Sequence, residues 1–239
     1  MPRVPAELER LTAEIVACRA CPRLVAWREQ IAREKRAAFR SEEYWGRPVP
    51  GFGDPRARLL LVGLAPAAHG GNRTGRVFTG DRSGDFLFGA LHRAGYANRA
   101  ESVRAGDGLQ LRDAYVAAAV RCAPPANKPT PAERDACMPY LVREVQLLAR
   151  LRVVVVLGAF GYEATWTTLR AAALSGVELP ARRPRFAHGL EVSCGRITIV
   201  ATFHPSQQNT FTGRLTPAML DAVFTRARHL TQATISPTK

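Results

Sequence analysis

Four short hydrophobic runs divide the chain and predict the strands of a sheet. They cover residues 56–65, 114–122, 151–159 and 196–205, and segments rich in polar residues, glycine or proline lie between them. Runs of this length that are apolar at nearly every position are typical of strands buried on both faces. We therefore predict four core strands, of which LRVVVVLGA at 151–159 is the clearest.

Helical periodicity fills much of the sequence between these runs. Residues 5–37 predict two helices, and residues 83–93 predict a third. Thr130 precedes a proline and stands three residues before Glu133, an arrangement that predicts a capped helix. One more helix is predicted after each of the last two strands, and the final one begins near Thr216.

The alternation of strand and helix predicts the fold. It favours an α/β single domain with a central four-stranded, mostly parallel sheet that helices flank on both faces. We assign residues 1–230 to this domain and residues 231–239 to a flexible tail. In such sheets the ligand binds beyond the carboxyl ends of the strands. The four predicted strands lead into GLAPAAHGG, RCAPPANKP, LGAFG and FHPSQQN, so we expect these segments to form one site.

The charge balance points to a polyanionic partner. The chain has 34 Lys and Arg against 20 Asp and Glu, a formal net charge of +14. Nucleic acid is the simplest partner for such an excess, and a generally arginine-rich composition is the alternative reading. The sequence has no apolar run of the roughly 18 to 20 residues that span a bilayer, and no signal-peptide core near its start. We expect a cytoplasmic protein; in a bacterial cell, this means the compartment that holds the nucleoid.

Cysteine usage predicts a metal site. Five cysteines are an odd number in a chain expected to be cytoplasmic, which argues against a disulfide framework. Cys18 and Cys21 form a CxxC pair at the junction of the first two helices, and Cys122 and Cys137 bracket a proline-rich loop. Four thiolates suit either zinc or an iron–sulfur cluster. Cys194 lies in a predicted strand and is interpreted as a core residue.

Five motifs occur in order along the chain. They are CRACPRL, VPGFGDP, GLAPAAHGGNRTGRVFTGD, RCAPPANKPTPAE and FHPS. Together they resemble the motifs of the uracil-DNA glycosylase superfamily, and most closely those of its family 5, the type-B enzymes with an iron–sulfur cluster. The resemblance extends over roughly residues 14–230.

This resemblance implies an activity, a cofactor and partners. It implies a monofunctional DNA repair enzyme that flips uracil out of DNA and hydrolyses the N-glycosidic bond, leaving an abasic site, with hypoxanthine and similar deaminated bases as further substrates. It implies a structural [4Fe–4S] cluster on Cys18, Cys21, Cys122 and Cys137. We expect a monomer that acts on double-stranded DNA, and on single-stranded DNA as a second substrate, upstream of an abasic-site endonuclease.

The resemblance also implies roles for residues near the strand ends. Phe78 matches the aromatic residue that stacks on the flipped base, and His204 matches the histidine that donates to the base oxygen O2. An ordinary core or structural role is the alternative for both. The rest of the base pocket is expected at Gly63, Ala65, Ala67 and Ala68. Contacts with DNA are expected from Ser206, Gln207, Gln208 and Asn209, and from the basic stretch that contains Arg183 and Arg185.

The loop departs from the superfamily pattern where relatives carry polar residues. They have an acid or amide at the positions of Leu64 or Ala65 and an asparagine at that of Ala118, and all three are apolar here. Such a pocket is expected to tolerate larger bases. We hypothesise that Asp81 positions the attacking water or offsets the charge of the sugar cation; its alternative role is the N-cap of the next helix. Asn127 is the candidate for a second catalytic polar group.

Two other readings stay open at this point. A protein with the same fold and no catalytic activity would bind nucleic acid without releasing a base, and the apolar loop positions favour it. A nucleotide-binding enzyme unrelated to repair would use the glycine-rich loop for phosphate, but the loop forms neither GxGxxG nor a Walker motif. His69 and Asn72, in the same loop, are further candidates for contact with DNA or base.

Overall fold

A computed structural model describes residues 3–232 of the chain. The strands are β1 (Phe52–Gly53), β2 (Leu59–Gly63), β3 (Ala114–Ala118), β4 (Val153–Leu157), β5 (Glu191–Cys194) and β6 (Ile197–Thr202). They form one sheet in the order β1-β3-β2-β4-β6-β5. The four central strands are parallel to one another, whereas β1 and β5 pair antiparallel at the two edges.

The prediction of an α/β fold is confirmed, but the predicted number of strands is wrong. The four predicted strands are the parallel core, and each is shorter than the hydrophobic run that predicted it. The sequence prediction did not include the two edge strands, β1 and β5. β1 has only two residues, within a stretch rich in glycine and proline. β5 alternates exposed and buried residues, because an edge strand of this sheet has one face in solvent.

The helices follow the predicted order. They are α1 (Arg3–Ala17), α2 (Pro22–Glu34), α3 (Gly71–Thr74), α4 (Arg82–Arg93), α5 (Pro131–Leu147), α6 (Gly158–Ala172), α7 (Gln207–Phe211) and α8 (Pro217–Gln232). The capping box of α5 is present: Glu133 N donates to Thr130 Oγ1 at 3.2 Å, and Thr130 N donates to Glu133 Oε2 at 2.8 Å. Residues 231 and 232, assigned above to the tail, belong to α8, and the rest of the predicted tail, residues 233–239, lies outside the described residues.

The core lies on both faces of the sheet. Leu59 and Leu61 of β2 point to one face, and Leu60 and Val62 point to the other. The first face packs against α4 and α8, chiefly through Leu87, Phe88, Leu220 and Phe224. The second packs against α5 and α6, chiefly through Leu141, Val145, Tyr162 and Trp166. This double cover explains why the core strands are apolar at nearly every position. None of the described helices is long and apolar enough to cross a membrane.

Parallel pairing places the functional segments at one edge of the sheet. The segments after β2, β3, β4 and β6 all leave from the carboxyl ends of the central strands. These are the segments predicted to form one site. The loop after β2 carries all the predicted base-pocket residues except Gly63, and it runs through α3 to Asp81 at the start of α4.

Candidate active site

The aromatic ring of Phe78 lies against the end of β2. A Cβ atom added to Gly63, the last residue of that strand, would stand 2.5 Å from Phe78 Cζ. Glycine at position 63 is therefore needed to admit the ring. Phe78 has a φ of 50°, a left-handed conformation that is rare for a bulky residue and persists where surrounding structure enforces it. The ring is only partly buried, so it is available for stacking.

His204 follows β6 and lies beside Phe78. The two ring centroids are 5.7 Å apart and the ring planes are inclined by 37°. Asn209 Nδ2 donates to the His204 carbonyl oxygen at 2.8 Å, which ties the histidine to α7. Desolvation by burial lowers the pKa of His204 from 6.5 to about 4. The imidazole is thus neutral at neutral pH, and it can donate a hydrogen bond without carrying a charge.

Asp81 uses one carboxylate oxygen as a helix cap. Gly84 N donates to Asp81 Oδ1 at 2.9 Å, which confirms the predicted N-cap of α4. The other oxygen, Oδ2, would stand 2.1 Å from a Cβ added to Gly70, so it lies against the loop that follows β2. Burial raises the pKa of Asp81, although backbone hydrogen bonds from Gly84 and Ser83 act to lower it. Because the cap occupies Oδ1, the hypothesised catalytic role stays compatible with it.

A cavity of about 680 Å³ opens beside Asp81. This volume lies within the range of small-molecule and cofactor pockets. Five predicted site residues from three segments line it together: Ala67, Ala68, Asp81, Asn127 and Gln207. Asn127 is exposed and has a φ of 55° in the tight turn after β3. Phe78 and His204 do not line the cavity themselves, but each belongs to the same loop as one of its lining residues.

The positions that are polar in relatives remain apolar in the folded protein. Ala118 is buried in the core face beneath α4 and α8. Ala65 packs against a small cluster that contains Leu24, Val120 and three cysteines. The loop after β2 therefore brings hydrophobic surface, rather than a carboxylate or an amide, to the start of the pocket.

One wall of the cavity was not predicted from the sequence. Phe39 and Glu42, from the segment after α2, line it together with Arg73. The Arg73 guanidinium stands 3.9 Å above the Phe39 ring and forms an ion pair with Glu42. It also donates to the carbonyl oxygens of His69 and Gly80, each at 2.8 Å. These contacts are tertiary, and no local pattern in residues 36–42 signals them.

The segment after His204 carries the predicted DNA contacts. Ser206 begins α7 without a side-chain capping hydrogen bond, so its hydroxyl group is not used there. Gln207 and Gln208 are exposed, whereas Asn209 is partly buried and bonds to His204 as described. Phe211 at the end of α7 is 66% exposed, with a guanidinium 5.3 Å from its ring. An exposed aromatic residue beside a cation is suited to a nucleic-acid surface.

The predicted basic stretch lies next to the end of β6. Arg183 and Arg185 are exposed, and the Arg183 guanidinium stands 5.9 Å from the Tyr162 ring. The following residues attach this stretch to the residue before His204: the His188 ring stacks on Phe203 with centroids 5.2 Å apart. The stretch thus lies near the carboxyl end of β6.

Three of the four predicted metal-binding cysteines pack in one cluster. Cys21, Cys122 and Cys137 contact Leu24 and Val120. Burial is the main cause that raises the pKa of Cys122 to about 12; Arg28 acts to lower it, and the nearby Cys137 and Cys18 act to raise it, which places Cys18 in the same neighbourhood. Within residues 3–232, no three Cys, His, Asp or Glu side chains converge tightly enough to hold a single metal ion. Cys194 is fully buried in β5, away from this cluster, in agreement with its interpretation as a core residue.

A buried cation accompanies the cysteines. Arg28 of α2 is 2% exposed, and its Nη1 donates to Cys122 Sγ at 2.9 Å. Its Nη2 donates to the Cys18 carbonyl oxygen at 3.2 Å, and its Nε has no partner within the described residues. The nearest carboxylate, that of Glu29, is 3.9 Å away and already pairs with Arg19. A buried guanidinium needs a compensating negative charge, which thiolates would supply.

Comparison with known proteins agrees with this geometry. The profile of the "Uracil DNA glycosylase superfamily" matches residues 50–228. A Type-5 uracil-DNA glycosylase of Mycobacterium tuberculosis is 54% identical over 222 residues, which is 92% of this chain and 80% of the relative. The Type-5 enzyme of Thermus thermophilus is 50% identical over 93% of this chain and 97% of its own length. A Type-4 uracil-DNA glycosylase of Pyrobaculum aerophilum is 31% identical over 69% of this chain and 74% of its own length. The chain belongs to the uracil-DNA glycosylase superfamily, and within it to the type-5 family.

Proposed function

We propose that the protein removes uracil from DNA by hydrolysing the N-glycosidic bond and leaves an abasic site. One observation carries this proposal: Phe78, packed on Gly63, lies beside a neutral His204 at the edge of the sheet where the family motifs meet. An aromatic face for a base and a donor for a base oxygen are what extraction of a base from DNA requires.

The chemistry divides between these residues. The flipped base stacks on the Phe78 ring, which is partly accessible. His204 donates a hydrogen bond to the base oxygen O2, on which negative charge develops as the glycosidic bond breaks. No described residue hydrogen-bonds to either ring nitrogen of His204, so a nitrogen is free for this contact. A neutral donor in a desolvated site stabilises such an anion effectively, and loss of one such donor costs about 10²–10³ in rate in other enzymes.

Asp81 supplies negative charge on the sugar side. Its Oδ2 atom, which the helix cap does not use, faces the loop after β2 and the cavity. There it positions the attacking water or offsets the charge of the sugar cation. Asn127 lines the same cavity from the turn after β3 and serves as a second polar contact for water or base. The apolar Leu64, Ala65 and Ala118 support a pocket that also accepts hypoxanthine and other deaminated bases.

The DNA strand crosses the carboxyl edge of the sheet. Ser206 hydrogen-bonds to a phosphate, and Gln207 and Gln208 enter the minor groove. Arg183 and Arg185 bind other phosphates of the DNA strand. Arg183→Ala together with Arg185→Ala should reduce the salt dependence of binding by about 0.9 in log–log slope for each phosphate that is no longer neutralised. Arg33→Ala, an exposed arginine on α2, is the matched control. We place the enzyme as a monomer in the cytoplasm, where its abasic product passes to an endonuclease.

A [4Fe–4S] cluster on Cys18, Cys21, Cys122 and Cys137 fits the described residues. The buried Arg28 donates to Cys122 and lacks a full anionic partner, as four thiolates would provide. Four thiolates suit zinc as well as an iron–sulfur cluster, and it is the resemblance to the type-B enzymes that favours the cluster. When bound, the cluster would tie the start of α2 to the loop after β3, and its role is structural.

The cofactor has its own test. Protein purified without oxygen should show the broad visible absorption of an iron–sulfur cluster, together with iron and inorganic sulfide. Cys137→Ser should lose this absorption. Cys194→Ser should keep it, because Cys194 lies in β5, away from the other cysteines. A colourless protein that contains stoichiometric zinc would contradict the cluster.

The activity is tested by single turnover on a duplex with one central uracil opposite guanine, followed by alkali cleavage. Wild type should give alkali-labile product, and His204→Ala should lose it while keeping the visible spectrum. His92→Ala, an exposed histidine on α4, is the matched control and should behave as wild type. Tight binding of uracil-containing DNA without product, from an intact protein, would instead support the non-catalytic binder.

A further inference from the structure

His69 lies in the loop after β2 and lines the cavity with Ala67, Ala68 and Asp81. Its ring also contacts Tyr44, a residue of the segment before β1 that is 7% exposed. The Tyr44 hydroxyl oxygen is 3.0 Å from His69 Nδ1, and the two rings meet edge to face at 80°. The pair has no part in the mechanism given above.

The hydrogen bonds of Tyr44 determine which nitrogen of His69 carries the proton. The backbone N–H of Arg36 donates to the Tyr44 hydroxyl oxygen at 3.3 Å. Within residues 3–232, His69 Nδ1 is the sole hydrogen-bonding partner to which the hydroxyl proton can go. A buried hydroxyl group makes the bond that is open to it, so Tyr44 donates and Nδ1 accepts. The proton of the neutral imidazole is then on Nε2.

The Nε2 atom is the free end of this pair. It forms no hydrogen bond with any described residue, and it is not among the side-chain atoms that are buried without a partner. A ligand in the cavity can therefore reach it. Burial lowers the pKa of His69, and Arg36 and Arg73 lower it further, which keeps the ring neutral. The backbone is held as well, because Arg73 Nε donates to the His69 carbonyl oxygen at 2.8 Å.

The surroundings favour a carbonyl oxygen over a phosphate as the acceptor. The Ala67 and Ala68 methyl groups give the cavity an apolar wall that suits a base. The Asp81 carboxylate lies against Gly70, the residue next to His69, and opposes a phosphate there, whereas Arg36, Arg73 and Arg82 also line the cavity. The apolar wall and the neutral donor, rather than the net charge, therefore favour the base. Deamination converts an amino group of cytosine or adenine into a carbonyl oxygen, which replaces a donor by an acceptor. A neutral N–H group can thus donate a hydrogen bond to the carbonyl oxygen that only the deaminated base carries at this position.

We propose that His69, oriented by Tyr44, selects deaminated bases by donating Nε2–H to the carbonyl oxygen that deamination creates, O4 in uracil and O6 in hypoxanthine. This inference rests on the proposed glycosylase function. An amino group at the same position would face a second donor, and both would be left without a partner in a desolvated site. Rejection of the undamaged base follows from that mismatch.

The test pairs a change in the enzyme with a change in the base. Two duplexes differ only at the target, which is uracil or 2-pyrimidinone, a base that lacks O4. Single-turnover rates are measured for wild type, His69→Phe, Tyr44→Phe and the control His92→Ala. His69→Phe should slow uracil excision about tenfold and 2-pyrimidinone excision little, so the ratio of the two rates falls. Tyr44→Phe should shift the ratio in the same direction by less, because the ring remains but its tautomer is no longer fixed.

Other outcomes would overturn the proposal in distinguishable ways. Equal slowing of both bases by His69→Phe would mean that the residue only shapes the loop. Weaker binding of undamaged DNA with a reduced salt slope would mean that it contacts a phosphate. An unchanged rate on uracil in His69→Phe, with wild type active on uracil, would remove the role of His69 and leave the glycosylase function intact. If wild type were inactive on every deaminated base, both the role of His69 and the proposed glycosylase function would be overturned. His204→Ala should slow both bases, since the group it contacts, O2, is present in each.

Discussion

The ring of Phe78 stands 5.7 Å from the ring of His204, although the two residues come from segments that follow different strands. The first segment leaves β2 and the second leaves β6, with β4 between them in the sheet. Their meeting therefore depends on the parallel order of the core strands and on the close fit of Phe78 to Gly63. The sheet thus positions the two rings for the roles proposed for them, stacking on a base and donating to its oxygen.

Gly63→Ala should displace the Phe78 ring. The added methyl group would stand 2.5 Å from Cζ, and overpacking of this kind costs about 1–3 kcal/mol. We expect the single-turnover rate on uracil to fall at least about tenfold, with the visible absorption of the proposed cluster retained. Gly89→Ala is the control, since its nearest neighbour is the flexible end of Arg93 at 3.4 Å. An unchanged rate in Gly63→Ala would show that the position of the Phe78 ring does not limit catalysis.

Asp81→Asn should keep the hydrogen bond that caps α4 and remove the negative charge of the carboxylate. Asparagine is as good an N-cap as aspartate, so the free energy of unfolding should change by less than about 1 kcal/mol. The rate of base release should fall by about 10² or more, because the sugar side of the pocket loses its carboxylate. Asp81→Ala should lose both stability and rate. Full activity of Asp81→Asn in single turnover would contradict the catalytic role.

Protonation of the same carboxylate should cause the single-turnover rate to decline at low pH. Burial raises the pKa of Asp81 above its usual 3.8, so the ionised form is lost at a higher pH than for a free aspartate. The single-turnover rate should therefore decline with falling pH beginning above that value. In Asp81→Asn the residual rate should lack this decline. A wild-type decline centred below pH 3.8 would contradict the assignment.

His204 should make the fold less stable in acid. Its pKa is about 4 in the folded protein and 6.5 in the unfolded chain, so the unfolded chain binds the proton more readily. The stabilising contribution is fully present above pH 6.5 and is lost progressively as the pH falls toward 4. Urea unfolding at pH 7 and pH 4.5 should show a larger loss for wild type than for His204→Gln. Equal losses would indicate that His204 titrates normally in the folded state.

The buried ion pair of Arg121 and Glu144 should be sensitive to the loss of one partner. Both residues are 1% exposed, and the Tyr115 hydroxyl also donates to Glu144 Oε1 at 3.3 Å. Glu144→Gln leaves Arg121 as an uncompensated buried cation, which typically costs about 3–5 kcal/mol. Urea unfolding would measure this loss. The exposed pair of Arg93 and Asp221 is the control, and Asp221→Asn should cost no more than about 1 kcal/mol.

The sequence was sufficient for the parts of the molecule that local chemistry determines. The core strands were predictable because burial on both faces leaves unbroken apolar runs, and α5 was predictable because Thr130 and Glu133 form a local capping box. The edge strand β1 was not predictable, since a strand of two residues is too short to show an alternation of apolar and polar positions. The contacts of Arg73 with Phe39, and of Tyr44 with His69, were not predictable either, because each joins residues distant in sequence whose types have no special pattern.

The shared use of Asp81 by fold and site has a genetic consequence. An aspartate codon becomes an asparagine codon through a single G-to-A change at its first position. That change is what replication leaves after the cytosine on the opposite strand has deaminated and gone unrepaired. Asparagine would still accept the Gly84 N–H, so the altered protein would fold and escape quality control. With the catalytic role proposed for Asp81, one missed lesion in this codon would thus produce an intact protein that can no longer prevent the next one.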